Sequence, residues 1–530
     1  MKQIQKAGLV FFIVGFSIFI LTLKSGHYEL TRQVIESAIT KRYHKEAITA
    51  VNMQMLNIQF ESNTEFLIKL NKLLKDAQLI NDLNAKNGLP FGVNEWDYRL
   101  SENDIKYYNY TLTLAGQTGS LIVESTRWIF VTFGFMILGA LLYILPKRNE
   151  LPGKKNDNTF KNSFQSRGVF GILLGIFLIG FYVLLYWFPE YITSWIHLTD
   201  PLSRMLSGNN ASQWFLYGTL YTICVLVMGI RMLIEYQNNK YQIIRTSSVM
   251  FFQTAFAFII PEILIRLNKP YFDFKNMWPL KYDFFFDWNL NTLLNSGHLG
   301  VFMLVWGIAL FVVGVPVLTY FFGKRWYCSW VCGCGGLAET LGDPFRQLSD
   351  KRLVAWRIER YVIHLVLVFA IVMTALVLYT YFTGKSEIGP LNSYTIRQWY
   401  GFGVGSVFAG IVGTGFYPLM GNRVWCRFGC PLAAYLGLVQ RFKSRFRITV
   451  NGGQCISCGN CSTYCEMGID VRAYAQRGQD IVRSSCVGCG ICSAVCPRGV
   501  LKLENASADS ASRSSVLRTV HIKADYIGIL

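Results

Sequence analysis

At 530 residues, with 52% hydrophobic and only 16% charged residues, the chain is too apolar for an ordinary soluble protein of its length. Its formal charge of +19 invites a nucleic-acid reading, but the basic residues flank apolar runs and no aromatic-basic binding module accompanies them, so no nucleic-acid partner is expected. The 14 cysteines, most of them in regular sets, point instead to metal–thiolate chemistry.

In chain order, the first element is "GLVFFIVGFSIFILTL", Gly8 to Leu23. This run is longer than a usual signal-peptide core, and "KSGHYEL" after it offers no A-x-A-like cleavage site, so residues 1–23 are expected to stay as a membrane anchor. Lys24 to Arg127 are polar. Within them "ESNTEFLIKLNKLLKDAQLINDLNAKNG" has apolar residues at helical spacing and stops at Asn87-Gly88, whereas "IKYYNYTLTLAGQTGSLIVEST" predicts two strands around a glycine turn. The expectation is a small α+β domain at 24–127. It contains no cysteine, hence no disulfide, haem-attachment or thiolate–metal signature, and reads as a partner-docking or folding module.

Further candidate spans are Trp128 to Leu145, Val169 to Phe188, Trp214 to Ile234, Met250 to Ile265, Leu299 to Phe322, Tyr361 to Phe382 and the glycine-rich Val404 to Leu419. A helix crosses the hydrocarbon core with roughly 17–25 apolar residues. The Met250 span is short and meets Pro261 and Glu262, and the last holds several glycines; either could be re-entrant. Six to eight crossings follow. With the N-terminus inside, the inner segments are Met1 to Lys6, Pro146 to Gly168, Arg231 to Arg245, Gly323 to Arg360 and everything after Gly421, which hold most of the lysines and arginines near helix ends. The charge is therefore mainly a topology signal, with residues 24–127 extracytoplasmic. Residues 128–445 form the membrane helical domain, 446–505 a small α+β cysteine-rich domain, and 506–530 a tail.

The cysteine-rich domain carries two runs. "CISCGNCSTYCEMG" and "CVGCGICSAVCP" both follow C-x2-C-x2-C-x3-C, the spacing that bacterial-type ferredoxins use for two [4Fe–4S] clusters. Zinc also takes four thiolates, but its sites rarely use three cysteines in C-x2-C-x2-C. Three cysteines on one tight loop reach three irons of a cubane, and the fourth ligand crosses over from the other run. One cluster is therefore assigned Cys455, Cys458, Cys461 and Cys496; the other takes Cys486, Cys489, Cys492 and Cys465. Gly459, Gly488 and Gly490 suit loops whose backbone approaches sulfide closely. Pro497 follows the last cysteine as the ferredoxin pattern expects, while Glu466 takes that place in the first run.

Five more cysteines sit against the membrane. "KRWYCSWVCGCGG" and "VWCRFGCPLAAYLG" place Cys328, Cys332, Cys334, Cys426 and Cys430 at inner helix ends, and C-x3-C spacing can put two thiols on one helix face. They are read as a redox or metal site against the alternative of plain reduced thiols, with the metal left open. Paired "CSWVC" and "CRFGCP" motifs, followed by a basic stretch and two ferredoxin runs, resemble the membrane polyferredoxins of the NosR, NapH and CcoG type over roughly Leu299 to Leu503. The resemblance implies a bacterial inner-membrane protein with cytoplasmic [4Fe–4S] clusters. It also implies electron transfer serving nitrous-oxide or nitrate respiration, or the assembly of copper-containing oxidases. Gly333 stands where the usual pattern has proline, Cys334 is additional, and "GQTGSLIVEST" does not match the flavin-attachment pattern of the NosR group, so no flavin is expected.

Weaker candidates are His364 and His298, each a possible haem ligand or quinone hydrogen-bonder but more simply a satisfied lone histidine. Glu262 and Arg266, four apart on a helix, suit a simple pair, though an intramembrane ionisable residue is a functional candidate by default. Cys224 reads as packing. The expected fold is an α-helical membrane bundle with a two-cluster ferredoxin-type domain and a small outward α+β domain. The expected function is an electron relay between a quinone pool or cytoplasmic donor and a respiratory partner protein. The rivals are an assembly factor reducing a metal such as copper and a redox sensor without turnover.

Overall fold

The fold is that of a computed structural model, which describes residues 2–24, 26–51, 56–87, 90, 93–118, 127–149, 167–451 and 454–505, with the backbone of 520–523 and 526–529. Part of the expected second strand (119–126), most of the basic segment Pro146 to Gly168 and most of the tail lie outside the described residues. Two compact units emerge, Met1–Pro146 with Val183–Thr219, and Lys147–Tyr182 with Leu220–Leu530.

In the first unit, α1 (Lys2–Leu21) pairs with the later membrane helix Arg127–Ile144. Glycines let the backbones touch: a Cβ on Gly139 would lie 2.4 Å from the Phe12 nitrogen, and one on Gly8 2.8 Å from the Gly139 carbonyl. Small residues at such contacts are how membrane helices approach without a hydrophobic driving force. Between them, β1 (His27–Glu29) lies at the centre of a three-stranded antiparallel sheet, flanked by β2 (Gln59–Phe60) and a strand at Gln117–Thr118. Helix α2 (Asn63–Asn87) buries Phe66, Leu70, Leu73, Leu74 and Ala77, one face at 3.6-residue spacing, and stops at Asn87 as its sequence predicts.

The stretch expected to begin a strand hairpin is instead α3 (Glu102–Gly116). Its β-branched and aromatic residues favour strand locally, but two other signals win. Ser101 and Asp104 form a reciprocal capping box, and Ile105, Tyr108 and Leu112 recur at helical spacing to bury against the domain core. After α3 the chain enters β3 (Gln117–Thr118), which pairs with β1, and then α4 (Arg127–Ile144).

Seven helices are long and apolar enough to cross a membrane. The fifth, Lys240–Arg266, is longer than its sequence run, because an amphipathic first half (Lys240–Phe251) continues through a π-helical stretch into the apolar part. The glycine-rich eighth candidate is a helical path of another kind: α at Ser393–Tyr400, π over Gly401–Val412 and α again at Gly413–Gly415. By helical rise it spans on the order of 35 Å. The path runs back along the 31-residue helix Leu353–Thr383, since Arg167 donates both to Leu348 O (2.9 Å) before that helix and to Leu419 O (2.7 Å) after the return.

At that end of the second unit, three segments read from sequence as lying on one side come together. Arg231 bonds Asp343 (2.9 Å), and Arg427 donates to Asp350 O (2.6 Å). The cysteine-rich domain packs on them. Its strand β4 (Phe446–Val450) pairs antiparallel with β5 (Leu501–Asn505), in register from Phe446↔Asn505 to Val450↔Leu501. Short helical turns at Asn460–Thr463 and Ile491–Ala494 follow Gly459 and Gly490, whose φ values of +82° and +76° suit glycine.

Candidate functional site

The eight ferredoxin-run cysteines gather into two groups of four. Cys455, Cys458, Cys461 and Cys496 line one cavity, and Cys465, Cys486, Cys489 and Cys492 line another, so the last cysteine of each run crosses to the other group. Burial pushes the Cys461 and Cys486 thiols up to about 11 each, and the neighbouring cysteines add to the rise. A buried set of thiolates at this density needs a compensating cation, which an iron–sulfur cluster supplies. The backbone is shaped for close approach as well: Ile469 N donates to Cys465 Sγ (3.4 Å), and a Cβ on Gly488 would lie 2.5 Å from Arg325. Four thiols per cavity fit one [4Fe–4S] group each.

The two cavities differ in how they are held. Four consecutive carbonyls of the second run are capped by side chains from the membrane-side segments: Gln440 donates to Cys486 O (3.2 Å), Ser329 to Val487 O (2.7 Å), Tyr241 to Gly488 O (2.7 Å) and Gln242 to Cys489 O (2.8 Å). This loop is bolted to the bundle. The first run lies farther out, with Cys458 exposed and Ile456 58% exposed.

The two C-x3-C motifs converge. Cys328, Cys332, Cys426 and Cys430 are buried in one core cluster, and Cys334 is at its edge. A charge on any one of them disfavours charge on the others. The expected shared helix face is corrected, because each motif sits at a helix break. Cys328 ends the turn Arg325–Cys328 and Cys332 caps Gly333–Thr340; Cys426 lies in the π-turn Trp425–Gly429 and Cys430 caps Pro431–Lys443. The local geometry repeats. Cys332 N bonds Tyr327 O (2.8 Å) and Cys430 N bonds Trp425 O (2.9 Å), and each second cysteine accepts the N–H three residues on, from Gly335 and Ala433. A tight break puts the thiol pair on the inside of a turn, where a straight helix would spread it along a surface. The Cys334 thiol donates to Cys332 and outweighs burial; with the Gly335 N–H and Lys275 it holds Cys332 at about 6, close to thiolate at neutral pH.

A basic cavity of about 520 Å³ opens beside this site, with Cys426 in its wall. Lys324, Lys351, Arg360, Arg441 and Arg483 line it with Trp356, Tyr474 and His364, against Glu359 and Asp470; Glu359 is paired with Arg427 (2.7 Å). His364 Nδ1 is bonded to Arg360 O (2.6 Å), while His298 is exposed on Gly297–Ala309, away from the cysteines. Cys224 packs with Val225, Val249 and Leu337 as expected, and Glu262 and Arg266 share the helix Ile260–Arg266.

Sequence reasoning missed the charged frame between the two thiolate regions, formed by Glu339, Asp343, Arg346, Arg423 and Glu466, all essentially buried. The signal was Glu466 in the proline position. Burial alone would raise its carboxyl, but Arg346 and Arg423 hold it down at about 2.

A 4Fe-4S binding domain model matches residues 304–352 and again 401–449, the two stretches that carry the C-x3-C breaks, and a 4Fe-4S dicluster domain model matches 454–501. The chain is similar to YccM of Escherichia coli (strain K12), named for electron transport, at 25% identity over 28% of this chain and 43% of the relative. It is also similar to the methylamine utilization ferredoxin-type protein MauN. The match is 26% identical for the Methylobacillus flagellatus protein (29% of this chain, 53% of the relative) and 28% identical for that of Paracoccus denitrificans (33% and 60%). The chain spans about half the length of these curated relatives. No solved structure matches it. Repeated 4Fe–4S binding domains, ferredoxin-type relatives and seven apolar helices make this chain a membrane polyferredoxin.

Proposed function

We propose that the protein relays electrons between a membrane-borne donor, a quinol of the quinone pool, and a redox partner protein that docks on the ferredoxin-type domain. The observation that carries this reading is the series of thiol groups in the second unit. Cys426 lines the basic cavity, its motif converges with Cys328, Cys332, Cys334 and Cys430, and the cavity of Cys465, Cys486, Cys489 and Cys492 is bolted to the same segments. The group of Cys455, Cys458, Cys461 and Cys496 lies outermost. Each ferredoxin cavity is assigned one [4Fe–4S] cluster, which when bound supplies one-electron chemistry at a potential set by its charge, hydrogen bonds and exposure. The juxtamembrane cysteines are assigned a further thiolate-bound metal or a dithiol–disulfide pair.

In this reading the chain's own residues do three things. The cationic wall of the basic cavity favours a ligand that becomes negative on losing protons, and His364, with Nδ1 committed to Arg360 O, leaves Nε2 to take one. The capped carbonyls of Cys486 to Cys489 fix the second run against the bundle, which keeps the separation of the thiol sites constant. At the outer face, Arg472 and Arg498 line the cavity of Cys458, a surface suited to an acidic partner. The positive-inside pattern supports a bacterial inner-membrane location with the ferredoxin-type domain in the cytoplasm and residues 24–127 outside.

A copper-reducing assembly role is the second reading, favoured by the contact between Cys332 and Cys334 within a five-thiol group, since soft thiolates select Cu(I). Redox-titrated EPR on anaerobically purified protein, with iron and sulfide analysis, tests the first. About eight irons in the two ferredoxin runs and reduction by added quinol are expected. Replacing Cys328 and Cys332, or Cys426 and Cys430, by serine should abolish quinol reduction while both clusters stay assembled. Two zincs per chain with little iron would overturn the cluster assignment, and cupric-ion reduction without a quinol requirement would favour the second reading.

A further inference from the structure

Glu466 stands directly after Cys465, where the second run has Pro497 after Cys496. Its carboxylate is fully buried between two arginines. Arg346 Nη1 meets Glu466 Oε2 at 2.8 Å, and Arg423 Nε meets Oε1 at 3.1 Å. Asn422 Nδ2 donates to the same carboxylate (3.2 Å), and Ser349 Oγ holds the Glu466 carbonyl (2.7 Å). Each arginine then reaches a cysteine of a different site: Arg346 Nη1 lies 4.0 Å from Cys489 Sγ, and Arg423 Nη1 lies 3.7 Å from Cys426 Sγ. Glu339 binds both arginines on the far side, and Asp343 fixes Arg346 Nε at 3.0 Å.

This is more frame than a docking contact needs. Buried ion pairs seldom add stability over well-packed apolar residues, because desolvation offsets their attraction. A surface arginine would hold a domain in place without aiming at sulfur. A frame in which one carboxylate orients two guanidinium groups, each directed at a different cysteine, makes physical sense if the charge at those sulfurs changes during function. The rigid planar fork of arginine suits that task, because two of its edges are held while the third points outward.

We propose that Glu466, Arg346 and Arg423 are positioning residues that set the electron affinity of the site containing Cys489 and tie it to the Cys426 site through one shared carboxylate. The inference rests on the cluster assignment above. A cation beside a ligand sulfur stabilises the more negative, reduced state and raises the potential; an anion lowers it. Arg346 and Glu466 therefore act with opposite sign on the cluster of the second cavity. The first cavity, lined by Arg472 and Arg498 and none of these residues, stays outside their reach.

The test is redox-titrated EPR on the full-length protein, with the cluster of Cys489 identified as the signal lost in Cys489→Ser. Arg346→Gln should shift the midpoint of that cluster down and Glu466→Gln should shift it up, while the other cluster keeps its midpoint in both. Iron analysis comes first: zinc in place of iron ends both the cluster assignment and this inference. About eight irons with an unmoved midpoint in Glu466→Gln ends the inference alone. If Arg346→Gln loses iron, the near-isosteric Glu466→Gln carries the test. Equal shifts in both clusters, shifts of the same sign in the two variants, or loss of the same iron from both would reduce the frame to scaffold and overturn the proposal.

Discussion

Cys458 and Cys489 occupy the same position in their runs, yet one is exposed and the other has its carbonyl capped by Gln242 and its sulfur facing Arg346. Iron held by the first should therefore be the more vulnerable. On incubation of the intact protein with a chelator under air, about half of the iron should leave in a fast phase, and the surviving EPR signal should be the one that Cys489→Ser removes. Simultaneous loss would mean that the two sites are equally protected. The ligand cysteines could be read from sequence because cubane geometry writes itself into local spacing. Arg346 and Arg423 could not, since their meaning depends on partners about a hundred residues away, and an arginine near a membrane end looks the same whether it faces solvent or a sulfur.

Helix α3 shows the same limit for an element. Its residues alternate well enough to suggest strands, and only the Ser101–Asp104 box and the placement of Ile105, Tyr108 and Leu112 on one core reveal a helix. Ser101→Ala should cost about 1 kcal/mol of helix stability, read as about fivefold faster amide exchange across Glu102–Gly116 in the full chain. Burial raises the Asp104 carboxyl, but the Ser101 hydroxyl and N–H and Lys41 together bring it below its ordinary value. A depressed carboxyl contributes stability above the unfolded carboxylate pKa and loses it as pH falls through the folded value. Exchange in α3 should accordingly accelerate on acidification through and below the ordinary carboxylate range, and Ser101→Ala should weaken that dependence. The α1–α4 pair makes a packing prediction of its own. Gly139→Leu places side-chain atoms where the Phe12 backbone lies, and should destabilise the pair by about 1–3 kcal/mol, seen as a lower unfolding temperature in detergent with the iron of the ferredoxin-type domain retained.

For the whole molecule, the number of crossings was the hardest property to read, because hydropathy sees length and apolarity but not the path of the chain. Seven helices satisfy those criteria, and an odd number taken alone would separate Gly323–Arg360 from the ferredoxin runs by a membrane. The packing does not permit this. Arg167 bridges Leu348 and Leu419, Arg427 reaches Asp350 O, and Ser349 holds the Glu466 carbonyl, so both stretches lie at one end of the second unit. The glycine-rich π-helical path Ser393–Gly415 must then supply the return, and its glycines leave it too weakly hydrophobic for a simple span while letting it nest against neighbours: Gly405 comes within 3.1 Å of Tyr282 and Gly429 within 2.1 Å of Phe408, measured to an added Cβ. Eight crossings put the N-terminus and the ferredoxin runs on the same side, with the cysteine-free domain emerging after an odd number. A fluorescent protein that matures only in the cytoplasm, fused after Asn505, should therefore glow. A cysteine placed at exposed Lys72 should react in intact spheroplasts with a thiol reagent that cannot cross the membrane. A dark fusion together with a labelled Lys72→Cys would leave Ser393–Gly415 as a re-entrant segment. It would also require the contacts of Arg167, Arg427 and Ser349 to form across a bilayer, which their hydrogen-bond distances forbid.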